Sequence, residues 1–233
     1  MKVALLLLAA AVVGAAGCTN NDISLSITQM QAITRLNLCM ATIGGTALMT
    51  RNRGLLDVAK VTTAGYIAVP VVRNNLLAST GTVEFNSIQV QGANIKLTTA
   101  AGAPLTLPSG QSSFFYGSAG GRLDPGMTAP MFVEVISPDS ARALAGMIPA
   151  NGVFTVVSEL RPVGMHSSDQ VIGGPIDFPI DLCNGCLTQT STCPLAKGTM
   201  VMDPCFVQQD DPTICCVDAT GATLCGGAAP VGM

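Results

Sequence analysis

The sequence predicts an all-β fold: an antiparallel sandwich with one short helix and an irregular, disulfide-rich C-terminal tail. Three observations predict it. Short runs in which apolar and polar residues alternate recur through residues 23–182, separated by Gly, Pro, Asn and Ser clusters, and period-two runs of this kind mark strands with one buried face. Only one segment carries both the start and the stop signals of a helix. Of the nine cysteines, seven fall in the last 51 residues, a stretch with no hydrophobic period of its own.

The strand signals begin at Ile23, Leu25 and Ile27, which alternate with Ser24 and Ser26. Residues 64–77 are apolar and β-branched, and Pro70 within them predicts an edge strand or a bulge because proline lacks the N–H a central strand needs. Residues 83–98 alternate through Phe85, Ile88, Val90, Ile95 and Leu97, with Gly92 interrupting the run. Residues 131–136, 153–157 and 171–182 continue the series. The helix is expected over residues 138–146, with Asp139 or Ser140 near its N-cap and Gly146 as its stop. Pro108-Ser109-Gly110 and the Gly117–Gly121 stretch read as turns or flexible hairpin loops. Many short strands with turns and little helix suggest a sandwich of immunoglobulin or fibronectin type, with alternate side chains of two sheets filling one core.

At the N-terminus, Lys2 is followed by an uncharged run from Val3 to Gly17 rich in Leu, Ala and Val. A basic start, a short apolar core and small residues at the end are the layout of a secretory signal peptide. The run is too short for a comfortable membrane span of about 20 residues. The residues Ala15-Ala16-Gly17-Cys18 resemble a bacterial lipobox. That resemblance implies cleavage before Cys18, a diacylglycerol on its sulfur and an acyl chain on the new amino terminus, because two or more chains hold a protein on a membrane where one does not. Thr19, rather than Asp, follows Cys18, so the expected location is the outer membrane. The competing expectation is a soluble secreted or periplasmic protein cut after an alanine. The predicted organisation is a signal peptide over residues 1–17, a lipidated tether over 18–22, a sandwich over 23–182 and a Cys-rich tail over 183–233.

Cleavage before Cys18 leaves an even set of eight cysteines: Cys39, Cys183, Cys186, Cys193, Cys205, Cys215, Cys216 and Cys225. Exported thiols oxidise, so four structural disulfides are expected, with Cys39 tying the sandwich to the tail. A zinc ribbon needs a second CxxC pair to match Cys183-Asn184-Gly185-Cys186, and none is present. A thioredoxin-type CxxC opens a helix after a strand, whereas this one holds Gly185 and is followed by Thr-rich sequence. No metal is expected.

Composition removes other classes of function. The chain of 233 residues is 48% hydrophobic and 11% charged, with a net charge of -3, which excludes a disordered protein and a nucleic-acid binder. The only histidine, His166, lies in a polar turn beside Ser167 and Asp169, and sequence proximity does not make a triad. No G-x-S-x-G elbow is present. Glu84, Glu134 and Glu159 each fall in a strand-like alternation, where the simple expectation is a solvated face. Asp210-Asp211 lacks the surroundings of a calcium loop. Gly117–Arg122 lacks the ending of a phosphate loop. Phe114-Phe115-Tyr116 is expected to pack as a strand end on the core, with an exposed binding patch as the alternative. No catalytic residue and no cofactor beyond the lipid on Cys18 is assigned.

Leu55–Asp57, Tyr66–Leu76, Phe178–Leu187, Pro204-Cys205, Gln208–Asp210 and Cys215-Cys216 together resemble a set of uncharacterised cysteine-tailed bacterial envelope lipoproteins. The resemblance implies a lipid-anchored surface protein and no particular activity. The expected function is a structural or binding role towards an envelope protein or polysaccharide, with the membrane surface as partner of the anchor. The alternative is a secreted hydrolase or a thiol-redox enzyme.

Overall fold

The computed structural model describes residues 24–33, 50–61, 65–107, 112–192, 209–210, 213–217 and 223–225. Two sheets face each other. The first is formed by β1 (Leu25–Gln31), β3 (Tyr66–Asn74), β6 (Thr128–Pro130) and β7 (Val133–Ile136), with β3 central and antiparallel to all three. The second runs in the order β2 (Gly54–Asp57), β10 (Ile176–Cys183), β8 (Phe154–His166), β4 (Ile88–Thr99), β5 (Phe114–Leu123), and β9 (Asp169–Ile172) also pairs with β8. The expected all-β architecture is present. The pairing is not wholly antiparallel, because β2 runs parallel to β10.

One core joins the sheets. Leu25, Ala68 and Val72 from the first sheet and Ile95, Leu97, Val156, Leu160 and Ile180 from the second are all buried in it. The alternation in β4 shows how the sequence sets this face. Ile88 and Val90 point inward on even numbers, and Ala93, Ile95 and Leu97 on odd ones. A register shift between Val90 and Gly92 against β8 supplies the change of parity. An extra residue in one strand returns the apolar side chains to the core after a slip that would otherwise expose them.

Several expectations are corrected. Pro70 is not on an edge strand: it pairs with Met30 of β1 on one side. On the other side it sits where β6 ends and β7 has not begun, and Met131 N–H donates to its carbonyl at 2.9 Å. A residue without an N–H is tolerated there because the neighbouring strand is interrupted. The Gly117–Gly121 stretch is not a loop but the middle of β5, paired along β4. The helix α1 spans Pro138–Leu144, and its N-cap is Ser137, whose Oγ accepts from Ser140 N–H. Residues 83–87 precede β4 rather than belonging to it.

In the tail, β11 (Thr188–Thr192), β12 (Thr213–Val217) and β13 (Thr223–Cys225) form a third sheet, so the tail is not entirely irregular. β11 and β12 are parallel, and the antiparallel register of β12 and β13 sets Cys215 opposite Cys225. Pro108–Gly110, Cys18, Cys39, Cys193 and Cys205 lie outside the described residues. Among the described residues, no helix is long and apolar enough to cross a membrane.

Candidate functional site

The parallel pairing of β2 with β10 brings Asp57 beside the end of β10, because the register sets Asp57 opposite Cys183. Asp57 is fully buried. One carboxylate oxygen accepts from Ala59 N–H at 3.1 Å and from Gly185 N–H at 2.7 Å, and the other accepts from Leu187 N–H at 3.0 Å. Two of these donors belong to the loop that carries the CxxC. Gly185 turns that loop with a φ of 82°, a left-handed conformation that suits glycine.

Cys183 and Cys186 are joined as a disulfide, with Cα atoms 5.8 Å apart. Cys183 is buried and Cys186 exposed, and each offers its sulfur within 4.8 Å of an Asp57 oxygen. Two thiolates and a carboxylate would make a three-ligand set for a borderline-soft cation such as zinc. Here both sulfurs are bonded to each other, and thiolates are what a metal needs. Disulfide exchange at exposed Cys186 would expel the Cys183 thiolate next to a buried carboxylate, and like charges in a buried site repel. A disulfide and a carboxylate thus hold the same loop. The CxxC follows a strand and does not open a helix, as its sequence predicts.

A second buried polar group clasps the tail to the body. Gln209 and Asp210 bond β3 of the first sheet and β2 of the second. Gln209 Oε1 accepts from Ile67 N–H at 2.9 Å and its amide donates to Ile67 O at 2.7 Å, on β3. Asp210 N–H donates to Leu55 O at 2.7 Å, and Leu55 N–H donates to Asp210 Oδ1 at 2.9 Å, on β2. Tyr66 O–H reaches the same carboxylate, and Arg51 lies 3.6 Å from it. Burial raises the Asp210 carboxyl above its ordinary range, although the Leu55 bond, Arg51, Tyr66 and Gln209 pull the other way. Burial, and then the Asp210 charge, push the Tyr66 phenol well above its ordinary value. Sequence reading missed this clasp because a Gln-Asp dipeptide is normally a solvated one.

The other candidate residues are dispersed. His166 closes β8, half-buried, and its Nε2 lies 3.2 Å from Phe85 O. A carbonyl only accepts, so that nitrogen carries the proton. Glu84 does not face solvent in a strand: it folds its own loop, accepting from Ser79 Oγ, Ser79 N–H and Asn86 N–H. These bonds, Asn86 first, hold its carboxyl below the ordinary range. Glu134 accepts from Gly65 N–H, and Glu159 pairs with Arg161 at 2.8 Å. The aromatic run divides between the two readings. Phe115 packs against the core, while Phe114 and Tyr116 point outward from β5. Register places Phe114 beside Lys96 and Glu159, and Tyr116 beside Asn94 and Arg161. The six-stranded sheet thus presents two aromatic rings at the end of two rows of hydrogen-bonding side chains.

Fold and site define a β protein with a two-sheet body, whose tail is fixed by a disulfide loop and a buried polar clasp. No protein-family model, curated protein or solved structure matches the chain.

Proposed function

We propose that this is a lipid-anchored surface protein of the bacterial envelope, of the outer membrane, whose sandwich has a binding role towards an envelope polysaccharide or protein. The observation that carries the proposal is the joining of Cys183 to Cys186 in a chain whose N-terminus resembles a lipobox. Disulfides persist in exported proteins, and taking Cys18 for lipid leaves an even number of other cysteines. The binding role is supported by the outer face of β5 and β4. Phe114 is 58% exposed and Tyr116 49%, and aromatic rings next to Asn, Lys and Arg side chains suit a hydroxyl-rich or mixed partner surface. An immunoglobulin-like arrangement remains our reading of the strand pattern.

Radiolabelled palmitate is expected in the wild-type chain and not in Cys18→Ser, and equal labelling overturns the anchor. Co-sedimentation with purified envelope polysaccharide is expected to fall several-fold in Phe114→Ser and in Arg161→Ala. Unchanged binding by both variants removes this face from the proposal, and binding to envelope protein alone assigns it to the protein partner.

A further inference from the structure

We propose that the loop of residues 76–87, together with Met127, is a second membrane contact that seats the domain on the lipid surface. This proposal rests on the reading of Cys18 as the anchor. It starts from where the chain enters the fold. Ser24 O accepts from Asn75 N–H at 2.9 Å, so the segment arriving from Cys18 meets the body at the root of this loop. Six residue steps separate Cys18 from Ser24, a reach of about 20 Å at full extension. An acylated Cys18 would keep this end of the sandwich within that distance of the bilayer.

The same end carries four exposed large apolar side chains among the described residues. Leu77 is 85% exposed, Phe85 68%, Met127 58% and Val83 55%. Asn74 gathers them. Its side-chain amide donates to Asn86 O at 2.8 Å at the far end of the loop, its Oδ1 accepts from Leu76 N–H, and its backbone N–H donates to Met127 O. Residues 76–83 carry no ionisable group. The single charge in the loop, Glu84, is held by Ser79 and Asn86. Apolar side chains on a held loop, close to a lipid anchor, fit the acyl–headgroup boundary, where apolar faces bury by about 5–10 Å. Large exposed apolar residues gathered at one place mark an interaction surface.

The chain contains no tryptophan, which makes a single introduced indole a clean reporter. Full-length chains carrying Phe85→Trp, Leu77→Trp or Val153→Trp are placed on vesicles of phosphatidylethanolamine and phosphatidylglycerol containing brominated lipid. Val153 precedes β8 at the end opposite His166 and is 52% exposed, so it serves as the control. Emission from positions 85 and 77 is expected to shift to the blue and to be quenched several-fold more than emission from position 153. Equal quenching at all three positions overturns the proposal, as does a blue shift that depends on protein density without bromolipid quenching, which marks a second copy as the occupant. Acylation of Cys18 is read by mass in the same samples. If Cys18 carries no lipid, the anchor reading fails by itself. The loop is then judged on the unacylated chain with added vesicles, where selective quenching at 85 and 77 upholds it and its absence overturns it.

Discussion

The hydroxyl of Tyr66 donates to the carboxylate of Asp210, 144 residues further along the chain, at 3.0 and 3.1 Å to its two oxygens. This contact fixes the tail to both sheets, because Leu55 of β2 and Tyr66 of β3 address the same group. Asp210→Ala removes the acceptor for both donors, whose bonds are part-buried, and orphaned donors cost about 1–3 kcal/mol each. Thermal unfolding is expected to show a loss of about 2–4 kcal/mol. Asp210→Asn keeps an acceptor for Leu55 and is expected to lose less.

The same pair of variants has a pH signature. Because the Asp210 carboxyl is raised in the folded state, the native protein holds that proton more tightly than the unfolded chain. Its contribution to stability is full below the unfolded carboxyl value. It is lost as pH rises through the raised folded value. Asp210→Asn lacks this loss, so its deficit against wild type is expected to narrow as pH climbs through that window. A constant difference in melting temperature at all pH values contradicts the assignment.

The two tyrosines are expected to separate on alkaline titration. Both phenols are raised above their ordinary value of 10.0, Tyr116 by burial alone and Tyr66 much further. Tyr66 stability is present below the unfolded phenol value and is lost as pH rises towards its folded one. Phenolate absorbance should therefore rise first from Tyr116, and then from Tyr66 together with loss of structure. Tyr66→Phe is expected to abolish the second step. A single step near 10 for both groups would refute the buried site.

Asp57 anchors three backbone N–H groups, two of them on the Cys183–Cys186 loop. Asp57→Ala is expected to destabilise the protein by about 2–4 kcal/mol, since the buried Leu187 donor and two part-buried donors, those of Ala59 and Gly185, lose their acceptor. It should also speed reduction of that disulfide by an added thiol, measured by alkylation and peptide mapping. Reduction at the wild-type rate would show that the carboxylate does not hold the loop.

Glycines in β5 differ in what surrounds them. A Cβ at Gly117 would lie 2.6 Å from Val133 Cγ1 and 2.8 Å from Ile95 Cδ1, whereas nothing lies within 4 Å at Gly120 or Gly121. Gly117→Ala is expected to cost about 1–3 kcal/mol by overpacking. Gly120→Ala and Gly121→Ala should stay within about 0.5 kcal/mol of wild type. Denaturant melts of the three variants test the contrast, and equal losses would remove the packing argument.

Fold class was legible because it depends on local period. The alternation in β1, β4 and β10 is visible in the order of residues, with Gly92 as an interruption whose bulge appears only in the pairing with β8. β5 was not legible, since a Gly-rich strand has no side-chain pattern of its own and is held by pairing with β4. The aromatic run of β5 followed the same logic: alternation sends Phe115 inward and its neighbours outward, yet only a strand assignment makes that alternation apply. The tail strands were hidden for a related reason: β11 is a run of Thr, Gln and Ser without an apolar period, and β12 and β13 are too short to show one.

The sequence by itself determined that the body is built of strands with one short helix and that the cysteines concentrate in the tail. It also marked Cys183 and Cys186 as members of a disulfide set. Only the tertiary structure decided that Asp57 caps that pair, that Gln209 and Asp210 bridge both sheets, and that Leu77, Val83, Phe85 and Met127 gather where the chain enters the fold. The physical reason is range. Periodicity and turn chemistry act over a few residues, whereas a buried polar group must find its partner wherever the packed chain brings one, here more than a hundred residues away.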